Sequence, residues 1–182
     1  MAHIDLGNDI PGIRGLFTYR PDTGRALSGL GEALLRADSP LSRGERELIA
    51  TYVSHLNECR FCAGSHGACA AAQLPGGSGQ VEATLADLAQ APVSAKMRAL
   101  LAIGGRVQES GRAVTDKDLA AARAEGATDR EIHDAVLIAA AFCMFNRYVD
   151  GLGALTPDDP AYYAAAGQHL AEHGYLPPQP AG

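Results

Sequence analysis

Helix-initiation signals recur along this chain and strand-like alternation does not, a contrast that limits the fold to packed helices. Ser42-Arg43-Gly44-Glu45 and Thr128-Asp129-Arg130-Glu131 share a pattern in which a hydroxyl residue and a glutamate three positions on satisfy each other's free backbone N–H groups. Ser94, Thr115 and the pair Asp159-Pro160 are further starts, the proline standing where its missing N–H costs nothing. Between these starts apolar residues recur at helical spacing and alanine is abundant, whereas no run between Gly and Pro punctuation alternates with period two. The expected helices run over about 23–37, from Ser42 to about Leu56, and from Asn57 as N-cap to about Leu74. Further helices are expected over about 81–89, from Ser94 through Val107 with Gly104-Gly105 weakening its middle, from Thr115 to Gly126, from Thr128 through Val149, and after Asp159. Residues 1 to about 20, interrupted by Pro11, Gly12 and Gly15, read as an extended arm packed on the body, and the closing PPQPAG reads as frayed. The expectation is an all-α fold, a single-domain orthogonal helical bundle over 21–174, with an N-terminal arm (1–20) and a Pro-rich tail (175–182).

A chain of 182 residues suits one domain. Apolar residues at 47% and charged residues at 20% are a globular balance that argues against wholesale disorder. The net charge of −6, with the basic residues scattered, argues against a nucleic-acid partner. The most apolar stretch, Ala135 to Phe145, is well short of the roughly 20 residues that cross a bilayer, so no membrane span is expected. The N-terminus has no apolar run after a basic start, and a cytoplasmic location is the expectation. In a reducing compartment, a cluster such as Cys59, Cys62 and Cys69, with Cys143 apart, suggests catalysis or metal binding rather than a disulfide framework.

The chemistry concentrates in Cys59-Arg60-Phe61-Cys62-Ala63-Gly64-Ser65-His66. On a helix Cys59, Cys62 and His66 fall at i, i+3 and i+7, on one face, with neighbouring Cβ atoms about 5–6 Å apart. A thiol attacks only as thiolate, and a free cysteine with a pKa around 8.5 is mostly protonated at neutral pH. The positive end of the helix and an imidazole one turn beyond Cys62 both favour ionisation. A second cysteine one turn away can resolve a sulfenic acid or mixed disulfide before overoxidation. The bland alternative for the pair is two buried small cysteines, and for His66 a surface or satisfied core histidine. Cys69 and Cys143 read as packing. Metal binding by Cys59, Cys62, His66 and Cys69 is opposed by geometry, because a helix at about 1.5 Å per residue carries Cys69 about 15 Å from Cys59. Covalent haem would need a histidine directly after Cys62, and a thioredoxin-type centre would follow a strand.

Glu47, followed by Cys59-x-x-Cys62-x-x-x-His66, resembles the signature of the alkylhydroperoxidase D-like (AhpD-like) family, within the carboxymuconolactone decarboxylase-like superfamily. Phe145-Asn146-Arg147-Tyr148-Val149-Asp150-Gly151-Leu152-Gly153 resembles the N-R-x-x-D-x-L-G segment of its peroxidase-related members, and the resemblance spans roughly Leu41 to Gly153. It implies an all-helical, AhpD-like, oligomeric protein, a trimer or hexamer, that reduces a hydroperoxide without metal or organic cofactor and draws electrons from a dithiol protein or small thiol. It implies Cys62 as the attacking thiol, Cys59 as its disulfide partner, His66 as proton relay and Glu47 as the relay's far end. By itself Glu47 would read as a solvated carboxylate, and Asn146 and Arg147 as an exposed helical turn; the resemblance suggests packing or substrate access for the last two. The chain departs from the alkylhydroperoxidase at Phe61, where the latter has a histidine before the second cysteine, which bears on the proton relay and the choice of reductant. Alternatives are a decarboxylase of a small cyclic acid, a branch that generally lacks the cysteine pair, and a non-catalytic redox-sensing interaction protein.

Overall fold

Ser42 and Glu45 satisfy one another as their spacing requires: the Glu45 N–H donates to Ser42 Oγ at 3.2 Å and the Ser42 N–H donates to the Glu45 carboxylate at 2.8 Å. Thr128 and Glu131 close the same box at 3.2 and 2.7 Å, and Glu131 also takes Lys96 Nζ at 2.6 Å. The computed structural model describes residues 2–176, so the PPQPAG tail lies outside the described residues. Within them the chain is helical, without strands: α1 (Ile13–Tyr19), α2 (Pro21–Arg36), α3 (Arg43–Leu56), α4 (Arg60–Gln73), α5 (Gly77–Ala86), α6 (Ala95–Glu109), α7 (Asp116–Ala124), α8 (Asp129–Gly151) and α9 (Pro160–His173). The all-α expectation therefore holds.

The core lies between α3, α6 and α8, where Ile49, Val53, Leu100, Ile103, Ile138 and Phe142 are all at most 1% exposed. Removing one such side chain from water contributes about 1.5–3 kcal/mol, which explains why α8 runs unbroken through the middle. Half of the most apolar window of α8 is buried inside the fold; by length and composition it could cross a bilayer, but the burial is that of a core helix. Gly104 and Gly105 interrupt nothing: they lie inside the 15-residue α6 where a Cβ would reach Val53 or Tyr52 only at ordinary contact distance, and the neighbouring helices supply the stability that propensity withholds.

Three local expectations are corrected. The arm is not extended throughout, since Ile13–Tyr19 forms α1, whose Leu16 is 1% exposed, and burial of that face outweighs the glycines. The helix expected over 81–89 begins earlier, at Gly77, ends at Ala86, and is followed by a single 3₁₀ turn at Leu88–Gln90. Asn57 does not start α4; it is the C-cap of α3. α4 packs between α3 and α9, with Gly167 against Ala68 and the Cys69 backbone and Gly64 against the Tyr163 ring, so at each contact of α4 with α9 one helix carries no side chain.

Candidate active site

The turn between α3 and α4 fixes the first cysteine. After Asn57, Glu58 adopts the left-handed conformation at φ 58°, alone among the non-glycine described residues. The Glu58 N–H donates to the His55 carbonyl at 2.9 Å and the Cys59 N–H to the Ser54 carbonyl at 3.0 Å, the paired bonds of a Schellman motif. Cys59 is thereby tied to α3 and becomes the N-cap of α4, its carbonyl accepting from Ala63 N–H at 2.9 Å, and Cys62 stands three residues on in the first turn. Side chains at these two positions are neighbours, as in the capping boxes of this same chain. The two thiols thus meet as their spacing predicts, but with Cys59 just outside the helix rather than within it.

Cys62, Ser65 and His66 face a cavity of about 780 Å³ walled by α1, α2, α4, α8 and α9, a size that takes a small organic ligand. Cys59 does not line it and is fully buried, whereas Cys62 is 3% exposed. All four cysteines are free thiols. The Cys59 thiol, hydrogen-bonded to the Cys62 sulfur, lowers the Cys62 pKa; burial opposes this, and His66 and the Asn146 side chain add to the lowering. Cys59 moves the other way, raised first by that same hydrogen bond and then by burial. The pair is thus polarised into a neutral donor and a sulfur that favours the thiolate.

His66 comes from the same helix one turn later, and its Nδ1 is 2.8 Å from Glu47 Oε2 on α3. Burial lowers the His66 pKa, but the Glu47 hydrogen bond and charge outweigh it and the net shift is upward. Glu47 is 1% exposed, so its carboxylate depends on partners for both oxygens. Oε2 takes His66, and Oε1 accepts a short hydrogen bond from Tyr175 Oη. Phe142 meets the His66 ring edge-on at 4.6 Å and Tyr175 stacks on it at 5.8 Å, 13° from parallel. The imidazole is held on two faces and at Nδ1, leaving Nε2 as its remaining polar edge.

Tyr175 follows a turn at Gly174, φ 82°, where a side chain would also strike Glu32. Glu32 Oε2 accepts from the Tyr175 N–H at 2.8 Å, and Arg36 Nη1 donates to the carbonyls of Leu170 and Ala171 at 3.1 and 2.9 Å, anchoring the end of α9 on α2. Nothing in the local sequence announces this residue, the first of the stretch expected as tail; Gly174 signals the helix stop but not where the chain goes next. Burial, then the Glu47 charge, holds the Tyr175 phenol well above its ordinary range.

Asn146, 1% exposed, donates to Ser54 Oγ at 3.0 Å and accepts from Asn57 Nδ2 at 2.8 Å, joining α8 to the turn before Cys59. Arg147 is exposed and donates to the Cys143 carbonyl of its own helix at 2.9 Å. Phe61 packs at 6.2 Å from Tyr163 and lies against Gly12, φ 60°, where a Cβ would overlap its ring; it contributes an apolar wall and no proton carrier. Cys69 is buried beside Glu47 and Tyr175, and burial pushes its thiol up. Cys143 is half-buried, 3.7 Å from Asn57 Nδ2. No metal-binding group of His, Cys, Asp and Glu occurs among the described residues.

A helical bundle with a CxxC at a helix N-terminus, backed by a His–Glu pair from the same helix and its neighbour, is the arrangement that the resemblance of the sequence to the AhpD-like family implies. The model of the carboxymuconolactone decarboxylase family matches residues 21–103, which include Glu47, Cys59, Cys62 and His66. Two solved structures are similar. One, described as an alkylhydroperoxidase AhpD core and uncharacterised peroxidase-related protein from Ralstonia eutropha JMP134, is 28% identical with a TM-score of 0.74, over 87% of this chain and 82% of that one. The other, an uncharacterised peroxidase-related protein from Silicibacter sp. TM1040, is 26% identical with a TM-score of 0.75, over 85% of this chain and 79% of that one. No curated protein matches the chain. The family model over residues 21–103 and the two solved structures together support an AhpD-like member of the carboxymuconolactone decarboxylase superfamily.

Proposed function

We propose that the chain is a thiol-dependent peroxidase in which the Cys62 thiolate attacks the terminal oxygen of a hydroperoxide. The O–O bond breaks, the alkoxide takes a proton from the His66 imidazolium and leaves as the alcohol, and Cys62 becomes a sulfenic acid. The Cys59 sulfur then attacks Cys62, a Cys59–Cys62 disulfide forms, and the sulfenic oxygen leaves as water. An external dithiol, protein or small, returns two electrons and two protons. Glu47 acts through His66 as a positioning residue, holding Nδ1 and stabilising the imidazolium.

The observation that carries this reading is the asymmetry of the pair: Cys62 lines the cavity with His66 while Cys59 is buried directly behind it. The peroxidase-related names of the two similar structures favour it over decarboxylation. A homo-oligomer working in the cytoplasm, without nucleic acid or membrane as partner, completes the proposal.

The test is steady-state peroxide consumption with dithiothreitol, with mass spectrometry of the peroxide-treated protein. Turnover and a Cys59–Cys62 disulfide are expected. Cys62→Ser abolishes both, and Cys59→Ser gives one oxidation that stalls at Cys62 as sulfenic or sulfinic acid. An active Cys62→Ser with a dead Cys59→Ser reverses the roles, and a single stoichiometric oxidation of the wild type makes the protein a sensor.

A further inference from the structure

The cavity in front of Cys62 carries polar groups along its wall, Thr18, Ser28, His169 and the hydroxyls of Tyr162 and Tyr175 among them, and two further polar features differ in kind. At its inner end Ser65, 5% exposed, has a hydroxyl oxygen without a hydrogen-bond partner among the described residues. An unpaired buried hydroxyl costs about 1–3 kcal/mol, a cost that a bound acceptor beside Cys62 and His66 removes. At the solvent edge stand Arg14 of α1 and Arg25 of α2, both exposed, and neither side chain enters an ion pair or hydrogen bond among the described residues. No Asp or Glu lines the cavity among the described residues, in a chain with 21 acidic residues and a net charge of −6. Between the two ends the wall is mainly apolar, including Ile13, Phe17, Leu27 and Phe145, and at the rim Ile10 and Leu176 are 38% and 52% exposed.

From this arrangement we infer that the cavity binds an amphipathic anion of fatty-acid type, its headgroup at Arg14 and Arg25 and its acyl chain along the apolar wall toward Ser65. The charge argument concerns the mouth: in a chain of net charge −6, two cationic side chains without an acidic neighbour in the lining stand together at the entrance of an apolar cavity. The apolar exposure at the rim is of the kind a chain entering the cavity would cover. Resting on the peroxidase reading, the same geometry names the substrate class as an acyl-chain hydroperoxide with a free acid group, the peroxide oxygens reaching Cys62 and one of them accepting from Ser65 Oγ.

Binding of laurate and of methyl laurate is measured by displacement of a dansylated fatty acid from the full chain, below micelle-forming concentrations. Laurate is expected to bind roughly ten-fold tighter than the ester, the sum of two partly exposed ion pairs. The Arg14→Gln/Arg25→Gln double variant brings that ratio to about one, whereas Arg112→Gln, an exposed arginine outside the cavity, leaves it unchanged. Equal affinity of acid and ester in the wild type, or an undiminished ratio in the double variant, overturns the inference. Laurate carries no peroxide, so this arm is independent of turnover. Linoleic acid hydroperoxide and its methyl ester, compared as oxidants of Cys62, form the second arm. Selective laurate binding with no oxidation of Cys62 by either hydroperoxide upholds the anion site and sinks the peroxidase reading.

Discussion

Tyr175 stacks on His66, the ring centroids 5.8 Å apart and the planes 13° from parallel, and both residues hydrogen-bond the one carboxylate of Glu47. The two contacts are separable by substitution. Tyr175→Phe keeps the stack and strips Glu47 Oε1 of its partner, leaving a carboxylate oxygen unpaired in a residue 1% exposed. A loss of about 1–3 kcal/mol is expected by urea unfolding. Tyr175→Ala removes the stack as well and should cost more. Equal stability of wild type and Tyr175→Phe would show that the hydroxyl is not what holds Glu47.

The thiols should titrate apart. Cys62 lies below the ordinary 9.0 and Cys59 above it, so iodoacetamide at pH 7 is expected to label Cys62 first, as read by peptide mass spectrometry. His66→Ala removes a charge that favours the thiolate, moves the labelling midpoint toward 9.0 and slows labelling at pH 7 roughly ten-fold. The linked stability has a definite sign. His66 is raised above 6.5, so its pairing contributes fully below pH 6.5 and is lost as pH rises through the raised value. The stability difference between wild type and His66→Ala should accordingly narrow as pH climbs above 6.5, and a difference that widens contradicts the Glu47–His66 pairing.

Much of the centre could be read from the sequence because its spacing is local. Cys59, Cys62 and His66 share one short segment, and Ser42 with Glu45 or Thr128 with Glu131 announces a helix start without help from the rest of the chain. Glu47 is different: its partner is 19 positions on in another helix, and only the family resemblance singled it out. Tyr175 is 128 residues from Glu47, and no periodicity encodes that meeting. Asn57 was expected to cap α4 because asparagine favours N-caps, but the left-handed residue that ends α3 is Glu58, and without a glycine there the Schellman turn leaves no trace in the sequence.

That turn can be tested alone. Glu58 is exposed, and its side chain has no hydrogen bond or ion pair among the described residues, so Glu58→Gly removes the left-handed penalty, offset in part by the greater freedom of glycine in the unfolded chain. Stabilisation of about 1 kcal/mol is expected in chemical denaturation, with Cys62 labelling unaltered. Glu58→Val, β-branched at a positive φ, should destabilise and loosen the backbone tie from Cys59 to Ser54. Destabilisation by glycine would mean that the Glu58 side chain contributes more to the fold than its exposure suggests.

The solvent side of α8 carries Leu137 and Met144, 40% and 43% exposed, with exposed Ala140 between them. Positions 137, 140 and 144 fall on one face of the helix, so the three form a narrow apolar stripe on the far side of the helix that fills the core. A stripe of this kind suits a partner α8 from a second copy, because symmetric contacts use the same patch on both sides. Each large side chain removed from water contributes about 1.5–3 kcal/mol, and two per copy place four in one two-fold contact, enough to matter. Light scattering of the wild type at micromolar concentration should therefore report a multiple of 18.9 kDa, and of the trimer and hexamer expected from the sequence it is the hexamer that can contain such a two-fold contact. Leu137→Glu/Met144→Glu should shift it toward the protomer mass with the helical far-UV signal intact, since both residues face solvent in the single chain. A wild type that scatters as a clean 18.9 kDa particle would refute the assembly, and a charged double variant that stays oligomeric would place the contact on another face.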